Sequence, residues 1–133
     1  MPTKTIRSKE KNIHQQVATY LKLQYRDVIF RTDFAAGIKM TIGQAKQHKN
    51  LQSCSKYPDV FIAEPRKGFH GLFLELKRSV EEIYKKDMTF RKNDHVAEQA
   101  AMLERLTKLG YKACFACGFD HAKKIIDDYL KQQ

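Results

Sequence analysis

The sequence predicts an α/β domain, and three observations predict it. Apolar residues recur at helical spacing in three stretches and at alternating spacing in others. Two adjacent extended stretches, residues 58–63 and 70–77, are joined by a segment with Pro65 and Gly68, which marks a reversal. The resulting order of helix, strand, helix, strand, strand, helix, strand, helix places a mixed sheet between helices.

Each element has a local reason. Ser8 can cap the first helix, with Glu10 in its first turn, where the helix dipole favours an acid. Ile13, Val17, Tyr20 and Leu21 then form its apolar stripe, which runs to about Tyr25. Residues 28–30 read as a short strand and residues 33–37 as a turn. Thr41-Ile42-Gly43-Gln44 offers a capping box for a short, basic, exposed helix. Residues 79–93 lack clean periodicity and read as a surface loop or a marginal helix. A helix opening near Asp94 carries Val96, Ala100, Leu103 and Leu106, and Gly110 supplies a left-handed stop. Residues 111–118 form the last strand, and Asp120 caps a final helix through Ile125, Ile126, Tyr129 and Leu130.

At 133 residues the chain reads as one domain, residues 1–133. Its 25 Lys and Arg against 15 Asp and Glu give a formal charge of +10, spread from Lys4 to Lys131, which favours a polyanionic partner, nucleic acid first. No apolar run reaches the roughly 18 residues of a membrane span, and no secretory core opens the chain, so no membrane partner and a cytoplasmic location are expected. Three cysteines, Cys54, Cys114 and Cys117, suit a reducing compartment. Cys114 and Cys117 with His121 have zinc-like spacing but lack a nearby fourth ligand, so buried strand cysteines are the preferred reading over zinc.

The chemistry concentrates in Pro58-Asp59-Val60-Phe61 and Gly71-Leu72-Phe73-Leu74-Glu75-Leu76-Lys77. Strand alternation puts Leu72, Leu74 and Leu76 on one face and Phe73, Glu75 and Lys77 on the other. Antiparallel pairing of the two stretches brings Asp59 beside Glu75. Two carboxylates, with the backbone carbonyl of Leu76, suit a hard cation, Mg²⁺ or in its place Mn²⁺, which keeps several waters and takes substrate phosphate as a further ligand. Lys77 can orient the attacking water or help to deprotonate it. An acid-x-Lys triplet can also arise by chance as an exposed ion pair, but this one lies on the most leucine-rich strand, directly after a Pro-Asp strand. No organic cofactor is called for.

With these residues the chain resembles the PD-(D/E)XK nucleases, and within them the small VRR-NUC domain found alone in phage and bacterial proteins. Glu10, Pro58-Asp59-Val60, the strand from Gly71 to Lys77, Gln99 and Leu109-Gly110-Tyr111 carry the resemblance. It implies a restriction-endonuclease-like core of helix, three strands, helix and strand, with Asp59, Glu75 and Lys77 as the catalytic set. It also implies roles for Glu10 at the metal and Gln99 at the site, a homodimer, and a setting that includes phage-infected bacterial cells. On residue grounds Glu10 serves equally as a dipole partner, His14 reads as a supporting or surface group, and His95 lies one turn from Gln99. Where the family has a glycine just before the residue preceding Pro58, this chain has Lys56-Tyr57, and Lys56 can contact a phosphate instead. Lys46, Lys49, Lys85, Lys86, Arg91 and Lys92 are further candidate backbone contacts. The leading reading is a metal-dependent endonuclease that cuts branched or junction DNA. The alternatives are a non-catalytic basic nucleic-acid binder and, more weakly, a zinc-stabilised module.

Overall fold

Alternation along the leucine-rich strand decides where the core lies. Leu72, Leu74 and Leu76 project to one face, where they meet Val60 and Ile62 of the neighbouring strand and Val17, Leu21, Ala122, Ile126 and Tyr129 of two helices. Burying each such aliphatic side chain contributes about 1.5–3 kcal/mol. The structure, a computed structural model, describes residues 2–33, 39–89 and 94–131, with side chains from Asn12 onward in the first helix and from His95 onward in the third.

The elements are α1 (Pro2–Gln24), β1 (Phe30–Thr32), α2 (Ile42–Asn50), β2 (Val60–Ile62), β3 (Leu72–Lys77), a 3-10 turn (Val80–Glu82), α3 (Asp94–Lys108), β4 (Lys112–Cys117) and α4 (Phe119–Leu130). One sheet runs β1-β2-β3-β4; β1, β2 and β3 pair antiparallel, and β4 joins β3 in parallel after the α3 crossover. α1 and α4 cover the leucine face. α3 lies over the other face, where Gln99 reaches Glu75. The predicted α/β class, with a mixed sheet between helices, is the architecture observed. Among the described residues, no helix is long and apolar enough to cross a membrane.

The β2–β3 reversal is built as its Pro and Gly foretell. Arg66 and Phe69 bridge, and the central residues Lys67 and Gly68 have φ of 46° and 82°, the left-handed pair that a tight hairpin turn requires. α3 ends at Gly110, with φ of 101°: Tyr111 N–H bonds to Leu106 C=O and Gly110 N–H to Thr107 C=O, closing the helix end. α2 carries the predicted capping box, with Gln44 N–H donating to Thr41 Oγ1 and Thr41 N–H to Gln44 Oε1.

Elsewhere the boundaries differ. α1 begins at Pro2, so Ser8 lies inside the helix instead of capping it, and Glu10 is beyond the first turn. Proline is tolerated in the first turn, and no further helix breaker follows it. β1 sits at Phe30–Thr32, later than residues 28–30, because pairing with β2 places it. The pairing runs on at both ends, with Ala63 N–H to Ile29 C=O and Asp33 N–H to Asp59 C=O; the turn expected at residues 33–37 lies, from residue 34 on, outside the described residues. The strands expected at 58–63, 70–77 and 111–118 are each shorter. Gly118, with φ of 87°, caps α4 in place of Asp120, which stands in the first turn, where its charge still suits the dipole.

Candidate active site

The β2–β3 register sets the first contact. Val60 faces Leu74, so one residue back Asp59 faces Glu75 across the strand pair. Asp59 Oδ2 accepts from the Leu76 N–H at 2.8 Å, locking the carboxylate against β3. Lys112 N–H donates to Gly71 C=O and Gly118 N–H to Lys77 C=O, so odd-numbered carbonyls of β3 point toward β4. Alternation then turns the Leu76 carbonyl to the other side, where its N–H already meets Asp59. Asp59, Glu75, Leu76 and Lys77 line one cavity of about 250 Å³.

All six residues of β3 are buried, the charged face included. An exposed strand-face ion pair is therefore not what Glu75 and Lys77 make. Burial raises the Glu75 pKa first, the Asp59 carboxyl raises it further by charge and by a shared hydrogen bond, and Lys77 opposes only part of this. The Glu75 carboxyl stands far above the ordinary carboxylate range. Gln99, also buried, donates from Nε2 to Glu75 Oε1 at 2.9 Å.

α3 and the segment before β2 close the cavity from the side. Gln99 Nε2 lies 3.1 Å from His95 Nε2, and Lys56 Nζ lies 2.7 Å from His95 Nδ1 and 3.6 Å from Glu98 Oε2. Burial, then the charges of Lys56 and Lys77, lower the His95 pKa, which favours the uncharged ring. From α1, His14 Nε2 comes within 3.8 Å of Asp59 Oδ1. Asp33 lines the cavity from the end of β1 and adds to the negative field on Glu75.

A solved structure described as a VRR_NUC domain protein matches this chain with a TM-score of 0.63 and 22% identity, over 93% of this chain and 89% of that one. The fold is that of a VRR_NUC domain. No family model and no curated protein matches the chain.

Within this VRR_NUC fold the predicted residues separate clearly. Asp59, Glu75, Lys77, Gln99, the Leu76 backbone and Lys56 meet at the cavity. Lys46, Lys49, Lys85 and Lys86 are exposed and are not part of its lining. Arg91, Lys92 and the Glu10 side chain lie outside the described residues. Asp33, Tyr57 and Arg78 also line the cavity, and none was singled out in the sequence as a site residue. The one available signal for Arg78 was its place directly after Lys77; Asp33 carried none. Cys114 and Cys117, three apart on β4, project to opposite faces, and His121 Nδ1 accepts from the Cys117 N–H, so these three do not converge.

The donor set fits a hard divalent cation. Carboxylates of Asp59 and Glu75 crowd together with Asp33 nearby, and a buried acceptor, Gln99 Oε1, has no hydrogen-bond partner among the described residues. Among those residues no group of three or more His, Cys, Asp and Glu is arranged to hold a metal unaided. Mg²⁺ takes one or two carboxylates and completes its shell with water and phosphate.

Proposed function

We propose that this chain is a Mg²⁺- or Mn²⁺-dependent endonuclease that hydrolyses DNA phosphodiester bonds, selects branched or junction structures, and acts as a homodimer. The convergence of Asp59, Glu75, Lys77 and Gln99, three of them buried, in one cavity carries this reading. Burying an acid and a lysine beside a second, half-buried acid opposes stability, and a charged, desolvated cluster in a cavity is the mark of a working site.

Asp59, Glu75 and the Leu76 carbonyl would hold the cation, which when bound offsets the charge that builds on the phosphate and acidifies water. Gln99 pins one oxygen of Glu75, leaving the other directed by the strand. Lys77, on the same face, holds the attacking water by hydrogen bond. Lys56 and His95 stand together at the cavity, where an ammonium meets a phosphate oxygen. Water adds to phosphorus, the bond to one sugar oxygen breaks, and that oxygen takes up a proton. One chain cuts one strand, so paired cuts require two copies related by a two-fold axis.

Labelled branched, single-stranded and duplex DNAs incubated with the purified protein and Mg²⁺ or Mn²⁺ test the proposal. Cleavage is expected for branched DNA, and every DNA left intact with both metals rejects it. Asp59→Ala, Glu75→Ala and Lys77→Ala are expected to bind DNA and to lose cutting by at least about a hundredfold. A purely binding module would handle DNA unchanged in all three.

A further inference from the structure

The face of the sheet that carries Asp59 and Glu75 is also its aromatic face. Alternation puts Phe61 two residues after Asp59 and Phe73 two before Glu75. Their rings stack at 4.4 Å with an interplanar angle of 21°. Tyr111 and Tyr57 each make an edge contact with Phe73, at 5.1 and 5.6 Å. Phe73 is 4% exposed, but Tyr57 is 50% exposed and lines the acid cavity.

Tyr57 is thus a ring held at near right angles to Phe73 and half exposed, at the rim of the candidate active site. Its surroundings are cationic: Lys56 precedes it, and Arg31, the register partner of Phe61, acts on its hydroxyl. A single half-open ring is far smaller than the roughly 1,000 Å² that a stable protein interface buries, whereas it matches one nucleobase. In a paired duplex each base is already stacked on both sides, so only an unstacked base can use this surface.

We propose that Tyr57 stacks on an unpaired nucleobase next to the phosphate that enters the Asp59–Glu75 cavity, so that the site takes nucleic acid with an unstacked nucleotide beside the cut. This rests on the nuclease reading and names its substrate class. It gives Lys56-Tyr57, the point where the chain departs from the pattern it resembles, a division of labour: Lys56 for phosphate, Tyr57 for base.

The chain contains no tryptophan, so Tyr57→Trp introduces a single reporter at this position. In EDTA, its emission is expected to be quenched by single-stranded DNA and by a duplex with an unpaired nucleotide, and to be unaffected by a fully paired duplex. Tyr57→Ala, its fold checked by circular dichroism melting, is expected to weaken binding to the unpaired substrates roughly 5- to 150-fold, the equivalent of about 1–3 kcal/mol per stacked base. Its binding to paired duplex is expected to stay the same, and Tyr57→Phe, which keeps the ring, to retain the preference. Absent quenching, equal quenching by paired duplex, or an equal loss on all DNAs in Tyr57→Ala overturns the proposal. So does tryptophan emission that changes with protein concentration without DNA, which would make this face a contact between copies of the chain. Cleavage with Mg²⁺ is read separately: cutting without stacking removes this inference alone, and stacking without cutting removes the nuclease reading alone.

Discussion

Between the Asp59 carboxyl and the Gln99 amide, Glu75 is required to carry a charge that burial and its neighbours oppose. The proposed function would account for such a cost to stability, and the trade can be measured. Glu75→Gln keeps the shape and removes the ionisable carboxyl. Its melting temperature in EDTA is expected to rise, by about 1 kcal/mol or roughly 3–5 °C for a chain of this size, while DNA cleavage disappears. A melting temperature equal to or below that of the parent chain would mean that Glu75 is a structural partner in the core and no burden to it. His14 and Asp33 belong to the same scale. Each adds a side chain to the cavity, His14 from the middle of α1, where the sequence reads it as a supporting or surface group, and Asp33 from just past β1, where the local sequence gives no hint of it.

At the scale of elements, α2 contrasts with the rest of the fold. It has no buried residue, and its described support includes the Thr41–Gln44 capping box, the Leu51 bonds at its end and a 3.8 Å contact of His48 with Asp33. A helix held this way is governed by its ends, not by the core. Thr41→Ala is expected to cost α2 about 1 kcal/mol and to speed hydrogen exchange of its amides about fivefold. The global melting temperature is expected to stay unchanged, and a fall of several degrees would show that α2 is packed more tightly than its exposure implies. β3 is the opposite case. It is central in the sheet, covered on both faces, and so able to hold Glu75 and Lys77 in fixed positions.

For the whole molecule, the first and last helices are tied together by one acid. The hydroxyls of Tyr20 and Tyr25 both donate to Asp127 Oδ1, at 2.5 and 2.6 Å. Burial alone would raise the Asp127 pKa, but these two bonds and the charges of Lys131 and Lys123 outweigh it and hold the carboxyl below its ordinary value. A carboxyl depressed in the folded state adds stability that is complete above the unfolded pKa, about 3.9, and is lost as pH falls through the folded one. Melting curves from neutral pH downward are therefore expected to show a loss of stability below about pH 4 that Asp127→Asn lacks. Equal slopes in the two proteins would mean that the tie between α1 and α4 does not depend on the charge.

The sequence by itself determined the strand pair, the shared face of Glu75 and Lys77, the α2 capping box and the Gly110 stop. Each depends on residues within one element or one turn, where spacing and backbone preference act directly. Asp59 was legible because a tight reversal leaves few possible registers for the strands on either side of it. The tertiary structure decided the rest: the burial of both faces of β3, the arrival of His14 and Asp33, the contact of Lys56 with His95, and the half-open ring of Tyr57 over Phe73. These contacts join segments far apart in the chain. Sheet register and helix packing bring them together, and no local pattern records that approach.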